Sequence, residues 1–396
     1  MFANRLRGGP YLDFVNRRHG GSGSRGSRAA EGAASSIDDR RRSGRHSMNV
    51  FTRNVDAILH HTIPFTCRWR NPMRDATPVD AAAVKTTRDA DRVRDVLASL
   101  TDIADQLIAS HEQRRELWWP SALVPSDDDG LATLRTRARE LSPALRVALA
   151  VNLLTEKGLP HFHRVVAQCL GESPAWRKWN HLWTAEEDRH GAVLRDYCRA
   201  SRLFPMQSIE QRQFEYLRQG FSQPFDTSPY HMLIYATVQE RATQVAYGRI
   251  AAAARDEPTL HTLTQRIAGE EARHYAFYRQ IVAGIIEADP EAGIEAAVTV
   301  LGDFDMPGKS IPDFRDMADV VRRAGFYGPD DFITIVEEQI RFWRIAELRL
   351  SGTAEQKQAH LLDLPRRLSR IARFFNERLG PKTFSFDFLN HTSFTA

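Results

Sequence analysis

From about residue 86 onward, apolar positions recur at steps of three and four, the period of helices that bury one face. The pattern predicts helices over 86–110, 143–170, 174–201, 207–219, 229–256, 259–288, 290–302, 329–351 and 353–378. Three of them open on Ser-Pro, at Ser142-Pro143, Ser173-Pro174 and Ser228-Pro229, which sets a capping hydroxyl before a proline suited to the first turn. Alternating strand patterns are nearly absent, so the predicted class is all-α, with a short hairpin or extended strap in the closing FSFDFLNHTSF. Upstream the periodicity fails. The stretch GGSGSRGSRAAEGAASS offers few large apolar side chains to offset the entropy of ordering. Residues 1–85 therefore read as a disordered or targeting-like extension, or as sequence upstream of a later start at Met48 or Met73, and residues 86–396 as one domain.

Two of the predicted helices carry a polar pair inside an apolar stripe. Trp179, Trp183, Glu187, His190, Leu194 and Tyr197 follow steps of 4, 4, 3, 4 and 3, and Leu263, Ile267, Glu271, His274, Tyr278 and Ile281 repeat those steps 84 positions later. A single Glu-x-x-His is usually a solvated helix face. Two of them centred on buried stripes are different, because a charged Glu in a core is costly unless it is paired or holds a metal. One more carboxylate lies 31 positions before each motif on an apolar face: Glu156, with Leu149, Asn152, Leu159 and Val166, and Glu240, with Leu233, Ala236 and Tyr247. The chain thus carries a duplicated helical hairpin, each copy giving one Glu from its first helix and Glu-x-x-His from its second.

Four Glu and two His on four helices are the inventory of ferritin-like di-metal carboxylate bundles. Oxygen-rich ligation with two imidazoles suits iron or manganese better than zinc. The reading is two iron ions held by Glu156, Glu187, His190, Glu240, Glu271 and His274, with Glu187 and Glu271 bridging because each stands at the centre of its stripe. His161 and His163 are expected to pack or lie at the surface, His60 and His61 show no ligand spacing, and Cys169 and Cys198 read as packing residues.

Charge changes the picture less than it first promises. The net charge of +4 comes from a tail, since residues 1–48 carry +6 and the remaining 348 carry −2. The Arg run at 40–42 has no interleaved aromatics, so nucleic acid is not an expected partner. Three scattered cysteines indicate neither a disulfide framework nor a thiolate zinc site. With 48 Arg against six Lys, the chain reads as bacterial and cytoplasmic, or plastid if the extension is a transit peptide. No run of 18 apolar residues is present to span a membrane.

In LLTEKGLPHFH (153–163), WTAEEDRHG (183–191), SPYHMLIYATVQERAT (228–243), GEEARHYAFYRQIV (269–282), DMPGKSIPDF (305–314), LWWP (117–120) and KTFSFDF, the chain resembles the soluble acyl-acyl-carrier-protein desaturases, the stearoyl-ACP type. The resemblance spans about 110–390. It implies the same six iron ligands and an enlarged ferritin-like bundle. It further implies Thr243 on the oxygen-binding side, a chain of Trp118, Glu270 and His190 carrying electrons inward, and a family counterpart for Trp183. Acyl-carrier protein bearing a long acyl chain, ferredoxin as electron donor and a homodimer are the implied partners, and a cis double bond the implied product. Glu270 stands where the family usually has Asp, Tyr247 where His is frequent and Lys157 where a second acid is common; the link from Glu156 to Glu187 also looks shorter than in plant enzymes. The ligands alone would equally suit a di-iron oxygenase acting by hydroxylation or N-oxygenation. An iron-storage bundle would not need the 110 or so residues after His274.

Overall fold

The computed structural model describes residues 81–396, apart from 172, 221–224, 226, 227, 378 and 379. The extension expected over 1–85 lies outside them as far as residue 80, and its last five residues belong instead to the first helix. In chain order the helices are α1 (Ala81–Ser99), α2 (Thr101–Arg114), α3 (Pro120–Leu123), α4 (Asp128–Arg139), α5 (Pro143–Thr155), α6 (Leu159–Leu170), α7 (Pro174–Ser201), α8 (Met206–Gln219), α9 (Pro229–Ala253), α10 (Pro258–Ala288), α11 (Pro290–Gly302), α12 (Phe314–Arg323), α13 (Pro329–Phe342) and α14 (Gly352–Asn376). Two short strands, β1 (Thr383–Ser385) and β2 (Ser393–Thr395), pair antiparallel with Phe384 opposite Phe394, the hairpin expected of the closing segment.

Prolines open six of the longer helices, α5, α7, α9, α10, α11 and α13, where the missing N–H costs no hydrogen bond. The hydroxyls of Ser142 and Ser228 accept from the amides of Leu145 and His231. Ser173 occupies the same position before α7, but its side chain makes no capping bond.

Three predicted helices are shorter than their apolar patterns. Leu100 leaves helical geometry and divides 86–110 into α1 and α2, and 329–351 stops at Phe342, followed by Arg344 in the left-handed region. The third interruption matters most. The expected helix over 143–170 breaks at Glu156–Gly158, a single 3-10 turn. Pro160 has no N–H and its ring would collide with the carbonyl four residues back, that of Glu156; the tighter turn lets Leu159 N–H donate to that carbonyl instead. Helices α3, α4 and α12, of 4, 12 and 10 residues, are not among the predicted elements.

Helices α5, α7, α9 and α10 enclose the centre, and α2 packs against α7 and α10. Buried apolar side chains form two separate clusters. One holds Trp176, Trp179 and Trp183 of α7, Leu233 and Tyr235 of α9, and Tyr278 and Ile281 of α10. The other holds Leu194 and Tyr197 of α7, Tyr247 and Ile250 of α9, and Leu263 and Ile267 of α10. Each of these three helices runs from one cluster to the other. The plane between them is where their Glu and His residues stand.

Gly308, at φ 118°, lies where an added Cβ would come within 2.5 Å of the Phe314 ring. Gly308→Ala should therefore lower stability by about 1–3 kcal/mol, measured as a shift in the urea unfolding midpoint at unchanged slope.

Candidate metal centre

Helical spacing sets Glu187 and His190 on one face of α7 and Glu271 and His274 on one face of α10, while α9 brings Glu240 and the 3-10 turn brings Glu156. Ligand atoms of Glu156, Glu187, His190 and Glu271 lie within 4.8 Å of one another, as do those of Glu187, Glu240, Glu271 and His274. Glu187 and Glu271 belong to both groups. The six residues named from sequence are thus brought together as two overlapping quartets, with the same two carboxylates shared.

The donor chemistry fits a metal pair. Each imidazole turns Nε2 toward a carboxylate outside the quartets: His190 to Glu270 at 3.0 Å and His274 to Glu186 at 2.8 Å. With the proton held at Nε2, the Nδ1 lone pair points inward, the arrangement a metal-binding histidine requires. Both Nδ1 atoms, Glu187 Oε1 and Glu240 Oε2 are buried without a hydrogen-bond partner. His274 Nδ1 stands 2.9 Å from Glu187 Oε1 and 3.3 Å from Glu240 Oε2, close but not aligned for hydrogen bonding. Buried polar atoms left without partners cost free energy, and one cation in each quartet would satisfy them: His190 Nδ1 in the first, His274 Nδ1 and Glu240 Oε2 in the second, with Glu187 belonging to both.

The other oxygens of the terminal carboxylates are held from outside. Trp183 Nε1 donates to Glu240 Oε1 at 3.0 Å, and the Tyr247 hydroxyl donates to Glu156 Oε1 at 2.6 Å. Thr243 donates its hydroxyl to the carbonyls of Gln239 and Glu240 and lines a cavity beside the centre. Trp118 stacks parallel to His190 with ring centroids 6.5 Å apart. Its indole N–H has no hydrogen-bond partner, so the expected hydrogen-bonded chain through Trp118, Glu270 and His190 is made only between the last two. Arg189 supplies the missing connection: it donates to Glu270 at 2.6 Å and lies over the Trp118 ring at 5.1 Å.

Sequence reasoning missed Glu186 and His111. A signal existed for Glu186, which stands 84 positions before Glu270 and immediately before a shared carboxylate, as Glu270 does. His111 had none, because α2 lies outside the repeat. Its Nε2 meets Glu186 at 2.9 Å. His161 and His163 bond to the Leu217 carbonyl and the Thr184 hydroxyl, and Cys198 is buried in the core.

Burial and the crowding of negative charge divide the carboxylates. Loss of solvent, then the nearby Glu187 charge, pushes Glu156 up to about 8. Burial, then Glu187 and Glu240, holds Glu271 well above the usual carboxylate range. Burial also opposes ionisation of Glu187, but His190 and His274 outweigh it and hold this carboxyl down at about 2. Both histidines are correspondingly pushed well above the ordinary imidazole range by the surrounding carboxylates, against the effect of burial. The metal-free cluster balances its charge with protons, which ligation must displace.

A cavity of about 370 Å³ opens against this centre. Glu156, Glu187, Glu271 and Thr243 stand in its wall, and most of the remaining lining is apolar, including Leu159, Phe162, Phe304, Met306, Phe326 and Phe332. Among the described residues, no helix is long and apolar enough to cross a membrane.

A helical bundle with two carboxylate-bridged quartets is the architecture of the ferritin-like di-metal proteins. The sequence profile of the fatty acid desaturase family matches residues 92–390, and the chain belongs to that family. Acyl-[acyl-carrier-protein] desaturase 6, chloroplastic, of Oryza sativa subsp. japonica is 34% identical over 289 residues, covering 66% of this chain and 69% of the rice protein. Stearoyl-[acyl-carrier-protein] 9-desaturase 3, chloroplastic, of Arabidopsis thaliana is 29% identical over 310 residues, covering 72% and 75%. The X-ray structure of DesA2 from Mycobacterium tuberculosis H37Rv has the same fold, with a TM-score of 0.50 at 22% identity over 66% of this chain and 98% of that one.

Metal loading of the metal-free protein at pH 7 should release protons, because Glu156 (about 8), Glu271 and both imidazoles bind metal only after deprotonation. Affinity should accordingly rise from pH 6 to pH 8. Calorimetric titration in two buffers of different ionisation enthalpy checks this; identical apparent enthalpies would contradict it.

Proposed function

We propose that this chain is an acyl-[acyl-carrier-protein] desaturase that introduces a cis double bond into a long-chain acyl group, using O2 and two electrons from ferredoxin at a di-iron centre. The observation that carries the reading is that Glu187, Glu271 and Thr243 form part of the wall of an apolar cavity. Family membership and the names of the two plant relatives support it.

No side-chain base can take hydrogen from an unactivated methylene, so the reaction needs an oxidant; the iron pair, held by Glu156, Glu187, His190, Glu240, Glu271 and His274, would supply it by activating O2. Two hydrogens leave adjacent carbons, two electrons and two protons enter, and O2 leaves as two waters. The chain's own residues do the positioning.

 Leu159 and Phe162 of α6 and Phe304 and Met306 after α11 offer the acyl chain an apolar lining, and the cavity presents its carbons to the shared carboxylates. Packed aromatic and aliphatic walls keep bulk water from the reacting carbons. Tyr247 and Trp183 hold the terminal carboxylates, and Nε2 of each histidine is kept protonated by a carboxylate behind it. Acyl-carrier protein as the bearer of the substrate is proposed on the family and the names of the plant relatives. Ferredoxin, a homodimeric assembly and a bacterial cytoplasmic setting are proposed on the family resemblance and the Arg-rich composition.

The test is anaerobic reduction of the iron-loaded protein with ferredoxin, followed by O2 and a panel of acyl-ACPs, read by mass spectrometry. Loss of two mass units from the acyl chain is expected. A gain of sixteen would mean hydroxylation, and iron uptake without acyl product would mean storage. Glu187→Ala should abolish both iron binding and turnover, whereas Ala246→Phe, which fills the cavity from α9, should keep two irons and lose turnover at least tenfold, about 1.4 kcal/mol.

A further inference from the structure

We infer that Glu186 and His111 are positioning residues for the His274 half of the centre, through a brace that the duplication built twice; the inference rests on the di-metal reading above. The braces are crossed. Glu186 of α7 holds His274 of α10, and Glu270 of α10 holds His190 of α7. Neither hairpin can orient its own histidine until the other has docked against it. Both carboxylates are buried, at 2% and 0% exposure, and they stand 84 positions apart.

The two braces are finished by different chemistry. Glu270 is held by guanidinium groups, Arg189 at 2.6 Å and Arg273 at 3.4 Å. Glu186 takes its short contacts from imidazoles, His111 at 2.9 Å and His274 at 2.8 Å, with Arg115 at 3.7 Å and Arg189 at 3.9 Å beyond hydrogen-bond range. The His111 ring also stacks on His274, centroids 5.9 Å apart and 18° from parallel, much as Trp118 lies over His190 at 6.5 Å and 6°. One short stretch, from the last turn of α2 to Trp118, therefore backs both ligand histidines. His111 steadies His274 directly by stacking and indirectly by fixing Glu186. Without Glu186, nothing in the structure selects which nitrogen of His274 carries the proton, and its inward lone pair is no longer assured.

The experiment is anaerobic titration of the full metal-free chain with Co2+, followed by its visible absorption, in the unaltered protein and in Glu186→Ala, Glu186→Gln, His111→Ala and Glu270→Ala variants. Glu186→Ala should weaken one of the two binding steps by roughly 10–100-fold and leave the other unchanged. His111→Ala should weaken the same step by less, and Glu270→Ala the opposite step. Glu186→Gln, which keeps the volume and an acceptor for the His274 N–H, should recover most of the lost affinity. Equal weakening of both steps in Glu186→Ala, or none, would overturn the inference, as would a Gln variant no better than Ala. Failure of the unaltered chain to bind two ions would instead sink the di-metal reading on which it rests.

Discussion

The whole structure answers to the burial of carboxylates in a helical core. Glu186, Glu187, Glu240, Glu270 and Glu271 are each 9% exposed or less, and they occupy the plane where two apolar clusters meet. An isolated buried carboxylate is too costly to persist, so each of these must find a proton, a cation or donors. The arrangement supplies all three kinds of partner. Imidazoles face the shared pair, an indole and a phenol hold the terminal carboxylates, and guanidinium or imidazole groups hold the two that brace the histidines. The apolar clusters on either side keep the polar plane dry and fix the depth at which each helix presents its ligand.

The centre consequently has two unlike faces. Toward α2 it is closed by His111, Trp118 and the carboxylates behind the histidines. Toward α5, α9, α12 and α13 it opens into the apolar cavity. The break in the first hairpin belongs to this second face. Pro160 forces the 3-10 turn that carries Glu156, and Leu159 and Phe162 of the following helix continue along the cavity wall. The first hairpin is therefore not a copy of the second in backbone, although its ligand spacing is the same. A continuous α9 carries Glu240, whereas Glu156 sits at a joint.

Much of this was legible in the order of residues. Helices α7, α9, α10 and α11 begin and end within a few residues of their apolar patterns, because periodic burial and proline at the first turn are local properties. The six candidate ligands were legible because the duplication repeats them at a constant interval, and an interval survives in sequence whatever the helices do in space. Glu186 was legible by that interval too, once Glu270 had been singled out. The break at Glu156 is masked in the sequence, because the apolar stripe runs straight through the joint and only Gly158 and Pro160 announce it.

The sequence by itself determined an all-α chain with two matched hairpins and a set of acids on buried stripes, which follow from periodicity, spacing and residue chemistry along one helix at a time; membership of a desaturase family rests instead on the match of its motifs to the family profile. Only the tertiary structure decided that His111 stands behind His274, that Arg189 rather than Trp118 makes the bond to Glu270, and that the open face of the centre meets an apolar cavity. Those contacts join segments separated by 75 or more residues in the case of His111 and Glu186, and by 81 for Arg189 and Glu270. No local pattern encodes such meetings, because they depend on how helices of different faces pack, which is settled by the shape of the whole core.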